Sequence, residues 1–291
     1  MNKNRLTAML SILSVVPIQT IAKEMHGVHQ ALVSDAVVAQ QRDHLANNAV
    51  GKGFGPQSPR DIGAYEGRNP VGFSEAPPYT RMNLCNIHFH KNAEHKGGEF
   101  TRYAGNGDGQ GNMGGYQYSG ALSPQERAPS DNPVCQGEHG GLSPGDTIEV
   151  HYVFSSGQIT PGPSLSACFN DAITNPQLRV EAQVYVLVND VSAKNFALLT
   201  EIEQVNDLYQ AVNIPNDTGV PVEYAGSTTG PGYNEQGSPF QVSWGVRPQV
   251  AKVSFESVGE WCNGNVFEET HAHGVRNLVV NPDLLSPIVA K

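Results

Sequence analysis

Residues 83–90 read NLCNIHFH, and a β-strand is the conformation that gives this order a use. Successive side chains on a strand point to opposite faces. Extended backbone therefore puts Asn86, His88 and His90 on one face and sends Ile87 and Phe89 into a core on the other. Residues 147–154, TIEVHYVF, behave the same way: Glu149, His151 and Val153 share one face, and Val150, Tyr152 and Phe154 share the other. Further strand-like runs cover 178–188, 239–246, 250–258 and 277–280. Helical spacing is best over 23–50, where Val28, Leu32, Ala36 and Ala39 form a rough apolar face, and a second short helix is expected near 197–208. The 31 glycines and 20 prolines favour many short elements joined by turns. Residues 51–80 read as irregular, and the glycine-rich stretch 104–120 reads as loop, because it lacks the strand-to-helix setting and the Lys-Ser/Thr of a phosphate cradle. The expected architecture is one mainly β (α+β) domain over 23–291, a large twisted and mostly antiparallel sheet with peripheral short helices.

Residues 1–22 have the form of a secretory signal. Lys3 and Arg5 make a basic start, an apolar run follows, and Thr20-Ile21-Ala22 ends in small residues suited to cleavage after Ala22. The apolar run is too short and too interrupted to span a bilayer. Cleavage would move the formal net charge from −10 to −12. So acidic a surface argues against nucleic-acid partners and anionic membranes. The expected mature protein is secreted or periplasmic, and a homodimer is compatible with it. Cys85, Cys135, Cys168 and Cys262 form an even set without a C-x-x-C pair, which in an oxidising compartment suggests two disulfides of undetermined pairing.

Two histidines at i and i+2 on a strand sit side by side. Each neutral imidazole offers one nitrogen to a divalent metal at about 2.0–2.1 Å, while its other nitrogen needs a partner to hold the ring. Asn86 shares a face with His88 and suits that task. Catalytic zinc usually keeps three protein ligands and one open position. His151, on a second strand paired antiparallel with the first, completes a set of His88, His90 and His151, with Glu149 beside it to orient its ring. His95, His139, His271 and His273 compete as ligands, and the last two read as surface or site rim.

Four stretches, in chain order, resemble the α-class carbonic anhydrases: GPQSPRDIG (55–63), NIHFHKNAEH (86–95), IEVHYVF (148–154), and YAGSTTGPGY (224–233) leading into QVSWGVRP. The block CNIHFHKNAEHKGGEF resembles the δ-class more closely, so the chain resembles a δ-class carbonic anhydrase of the diatom type. The resemblance implies an α-carbonic-anhydrase-like sheet and reversible hydration of carbon dioxide to bicarbonate through zinc-bound hydroxide. It implies zinc on His88, His90 and His151, with Glu149 and Asn86 holding rings from outside. It also implies that Thr228, with Thr229 beside it, orients the hydroxide and donates to Glu94, for which Glu99 is a rival. The shuttle position of the α-class has no counterpart in residues 63–80, which leaves His95, His139, His271 and His273 as candidate proton shuttles.

Two other readings compete. HFHKNAE (88–94) has the H-x-H-x₃-E spacing of a cupin metalloenzyme, which would hold iron, manganese or zinc on His88, His90, Glu94 and His151. A non-catalytic secreted metal-binding β protein would keep the same histidines without the reaction.

Overall fold

The computed structural model describes residues 32–64, 66–131, 133–227 and 234–288. The signal-like segment, Thr228 and Thr229 lie outside them. In chain order the strands are β1 (Asn83–Lys91), β2 (Arg102–Tyr103), β3 (Tyr116–Gln117), β4 (Val134–Gly137), β5 (Gly140–Leu142), β6 (Thr147–Ser155), β7 (Leu178–Val188), β8 (Ile202–Val205), β9 (Leu208–Ala211), β10 (Val222–Ser227), β11 (Gln241–Val246) and β12 (Ala251–Ser254). The α-helices are α1 (Asp35–Ala49), α2 (Phe196–Leu199) and α3 (Phe255–Cys262). None is long and apolar enough to cross a membrane.

Six strands form the central sheet in the order β1-β6-β7-β11-β10, with β12 also on β7. The pairs β1–β6, β6–β7 and β10–β11 are antiparallel, as expected, while β11 and β12 run parallel to β7. β11 pairs with Arg179–Ala182 and β12 with Tyr185–Val188, so the two follow one another along the same side of the longest strand. Every residue of β6 and β7 is buried, because both faces of the sheet are covered. One face carries Leu84, Ile87, Phe89, Val150, Tyr152 and Phe154 against α3. The other carries Val153, Val180, Ala182, Val184, Val242 and Trp244, and this is the histidine face.

A β-bulge interrupts β1 between Leu84 and Asn86. The extra residue puts Cys85 on the same side as Asn86 rather than opposite it. There Cys85 joins Cys168, and Cys135 joins Cys262, which resolves the pairing that spacing left open.

Three expected elements are corrected. The run 250–258 is a strand only over Ala251–Ser254, and then turns into α3, whose Phe255, Val258 and Trp261 recur at helical spacing on the core. Residues 277–280 form no strand; Val279 instead packs on Leu45 and Ala49 of α1. In 197–208 the helix stops at Leu199, and β8 and β9 form a hairpin whose turn, Asn206-Asp207, has φ of 52° and 63°. Both turn residues tolerate the left-handed region that a two-residue hairpin turn requires. The helical part of 23–50 among the described residues is α1.

Candidate metal centre

The antiparallel register sets His88 directly across from His151 and His90 across from Glu149. The histidine face thereby gathers three imidazoles, with ring centroids 4.7 to 5.3 Å apart. One nitrogen from each lies within 4.8 Å of the others. Ala182 of β7, opposite His151, is small enough to leave this space clear.

The remaining nitrogen of each ring is bound from outside. His88 Nδ1 donates to Asn86 Oδ1 at 2.7 Å, and Asn86 is held in turn by the Gly162 carbonyl. His90 Nδ1 donates to the Gly274 carbonyl at 2.6 Å. His151 Nε2 donates to Glu149 Oε1 at 2.8 Å. These bonds fix the tautomers and leave lone pairs on His88 Nε2, His90 Nε2 and His151 Nδ1. His90 Nε2 is buried without any partner. Burial and the neighbouring imidazoles push His88 well below the ordinary histidine value. Burial is also the main cause that lowers His90 to about 4, against the raising effect of Glu94. Both rings are thus neutral donors at neutral pH, the form a metal requires.

A chain of hydrogen bonds continues behind Glu149. His95 Nδ1 donates to Glu149 Oε1 at 2.5 Å, and the His95 backbone N–H donates to Oε2 at 3.1 Å. His95 Nε2 accepts from the Tyr224 hydroxyl, which bonds Ser58 Oγ at 2.7 Å. Burial alone would raise Glu149, but His95 and His151 hold it well below the usual carboxylate range. Trp244 walls this chain, 5.2 Å from the His151 ring and 5.3 Å from that of His95.

Glu94 is also buried. One oxygen pairs with Arg60, and the other accepts the Arg276 backbone N–H at 3.2 Å. Against the cost of burial, Arg60 holds Glu94 at about 2. Its rival Glu99 is exposed and accepts from the Val250 N–H.

The four candidate shuttles occupy different places. His95 is fully buried with both ring nitrogens engaged. The His273 ring lies 5.5 Å from that of His88 and 5.8 Å from that of His90, is half exposed, and bonds Glu269 at 2.8 Å. That bond raises its affinity for a proton. His273 is held there by backbone bonds to Phe89 and Lys91 along the free edge of β1. His271 and His139 are exposed, and with His273 they line a cleft of about 60 Å³.

Sequence alone assigns no role to Arg60, Ser58 or Tyr224, although all three lie inside the stretches 55–63 and 224–233. The family model of the delta carbonic anhydrases matches residues 79–257. No curated protein matches the chain. A hyperthermostable carbonic anhydrase from an active hydrothermal vent chimney aligns over 78% of this chain and 85% of its own, at 13% identity and a TM-score of 0.28. The alpha-carbonic anhydrase of Photobacterium profundum aligns over 78% and 88%, at 16% identity and a TM-score of 0.25.

Proposed function

This chain belongs to the delta carbonic anhydrase family, and from that premise we propose that His88, His90 and His151 hold the zinc ion on which it hydrates carbon dioxide. Family membership makes carbon dioxide and bicarbonate the substrate pair. The observation that carries the zinc proposal is the convergence of three imidazole nitrogens, each ring held from behind, around a point where His90 Nε2 has no partner among the described residues. Two nitrogens bound at 2.0–2.1 Å to one tetrahedral ion lie about 3.3–3.4 Å apart; His88 Nε2 and His151 Nδ1 are 3.3 Å apart. A zinc ion held by these three residues would supply an acidified water, and so the nucleophile that hydration needs at neutral pH.

The chain's own groups do the rest. Asn86, Glu149 and the Gly274 carbonyl hold the three rings in the tautomers that face the ion. Glu94, kept ionised by Arg60, is the acceptor we assign to the Thr228 hydroxyl, with Thr229 beside it. His273, next to the ligands and open to solvent, is the group we assign to carry the proton outward, with His271 and His139 beyond it. His95, sealed between Glu149 and Tyr224, suits a positioning role better than a shuttle.

The cupin reading is less well supported. Its fourth ligand, Glu94, is engaged by Arg60 and Arg276, and the sheet is an open mixed one. We also assign the mature chain to a secreted or periplasmic location after cleavage at Ala22, a reading that its two disulfides support. The N-terminal sequence of the exported protein tests it.

Metal content and stopped-flow carbon dioxide hydration, measured on one purified preparation, test the function. One zinc per chain and a hydration rate abolished by a chelator are expected. Bound iron with no hydration would hand the site to the cupin reading, and bound zinc with no hydration to the non-catalytic one.

A further inference from the structure

Glu94 also lines a cavity of about 250 Å³ to which none of the three histidines contributes. Two arginines line it. Arg276 is buried; among the described residues its Nε–H has no acceptor, and its terminal nitrogens reach the Gln57 amide oxygen and the Gln236 carbonyl. Arg42, on α1, donates its Nε–H to the Leu278 carbonyl at 3.1 Å and forms no ion pair with a described carboxylate.

The charges around the cavity do not balance. Arg60 takes up Glu94, and its own Nε and one terminal nitrogen are buried without partners. The other acid lining the cavity is Asp35, exposed and bound by Asn106. Arg42 and Arg276 therefore line the cavity with Asp35 and Glu94, and Glu94 is already paired with Arg60, which is not part of the lining. Burial, and then Arg60, push Arg276 down to about 9, against the raising effect of Glu94.

We propose that this cavity is a second anion site, separate from the metal centre, and that it takes bicarbonate. A guanidinium presents a planar fork of donors that matches a planar oxyanion. The volume holds a four-heavy-atom oxyanion together with a few waters, each about 30 Å³. The choice of bicarbonate among oxyanions rests on the carbonic anhydrase assignment; the anion site does not. Because Glu94 lines the cavity and its charge already acts on His90, an occupied cavity would add negative charge near the metal centre.

Thermal unfolding of the zinc-loaded protein tests the proposal, in sodium bicarbonate and in sodium chloride at equal ionic strength, before and after zinc is removed by a chelator. A ligand that binds only the folded state raises the midpoint by mass action. Bicarbonate is expected to raise it with and without zinc. Arg42→Gln, on the surface of α1 and outside the catalytic machinery, is expected to weaken the fitted bicarbonate affinity of the zinc-free protein roughly tenfold or more. Its zinc content should not change. A bicarbonate effect that disappears with zinc, or that survives intact in Arg42→Gln, would overturn the site. If Arg42→Gln does not fold, the zinc-free wild-type protein decides: a bicarbonate shift supports the site, and none overturns it. Stabilisation of the zinc-free protein by sodium sulfate but not by bicarbonate would overturn bicarbonate as the ligand. Failure of carbon dioxide hydration would leave these midpoints as they are, so the two readings fail separately.

Discussion

His88 Nε2 lies 3.3 Å from His151 Nδ1, and each presents a lone pair to the other. Asn86 holds the proton of the first ring on Nδ1, and Glu149 that of the second on Nε2. Neither ring can turn a donor inward without breaking its outer bond. Two facing acceptors in a buried site are repulsive unless a cation lies between them. His151→Ala and His90→Ala are each expected to lose zinc and hydration together while keeping the fold, checked by metal analysis and circular dichroism. Stoichiometric zinc retained in either variant would place the metal elsewhere.

The outer bonds give a graded prediction. Glu149→Gln removes the charge that orients His151, and zinc affinity should fall about 10–100-fold. Tyr224→Phe acts one residue further back and leaves His95 Nε2 buried without a donor, at about 1–3 kcal/mol of stability. Its effect on zinc should be smaller than that of Glu149→Gln. Competition against a chromophoric chelator measures both affinities. No loss in Glu149→Gln would show that Glu149 does not position the ligand, and equal losses would show that the effect does not weaken along the chain behind it.

Acid should destabilise the metal-free protein in a defined window. His90 has a folded-state value of about 4 against an ordinary 6.5, so the unfolded chain binds that proton more readily. The stability this ring contributes is fully present above pH 6.5 and is lost as pH falls through 4. The slope is about 1.4 kcal/mol per pH unit for one such group, and His88 is shifted in the same direction. Thermal midpoints of chelated protein across this range should fall on acidification, and less steeply in His90→Gln. A His90→Gln profile parallel to the wild type would refute the assignment.

The strands that build the site were legible because alternation is a local signal. β6 and β7 show apolar residues at every second position on a buried face, β1 does so beyond its bulge at Ile87 and Phe89, and the limits of all three match the expected strands to within a residue. Asn86 and Glu149 were legible for the same reason, since each lies two residues from the ring it holds. Partners distant in sequence were not. Tyr224 meets His95 across 129 residues and Arg60 meets Glu94 across 34, and only the folded sheet sets those separations. The run 250–258 misled because its first residues alternate; the change to helical spacing at Phe255 shows only against the core it covers.

Arg60 and Glu94 form an ion pair with both side chains sealed from solvent. Removing one partner strands the other charge, which typically costs about 3–5 kcal/mol, whereas replacing both with groups of similar shape is often nearly neutral. Arg60→Met should therefore lower the urea midpoint strongly, and Arg60→Met with Glu94→Gln should recover much of the loss without recovering activity. A double variant no more stable than Arg60→Met would show that Arg60 matters through packing on Trp244, which its guanidinium overlies at 5.5 Å, rather than through its charge.

The bulge in β1 makes one disulfide matter to the site. Cys85 is the unpaired residue between Leu84 and Asn86, and its bond to Cys168 anchors the bulge next to the side chain that orients His88. Cys135–Cys262 instead joins β4 to α3 on the opposite face of the sheet. Each closes a long loop, with separations of 83 and 127 residues, and each should contribute about 2–4 kcal/mol. Stability alone would not tell them apart, but zinc affinity should. Replacing Cys85 and Cys168 with Ser frees the bulge and should weaken zinc binding as well as the fold. Replacing Cys135 and Cys262 should weaken the fold and leave zinc affinity within a factor of about two, below the range expected for losing an outer partner. Equal zinc affinities in the two double variants would mean that the bulge holds Asn86 in place without the covalent bond.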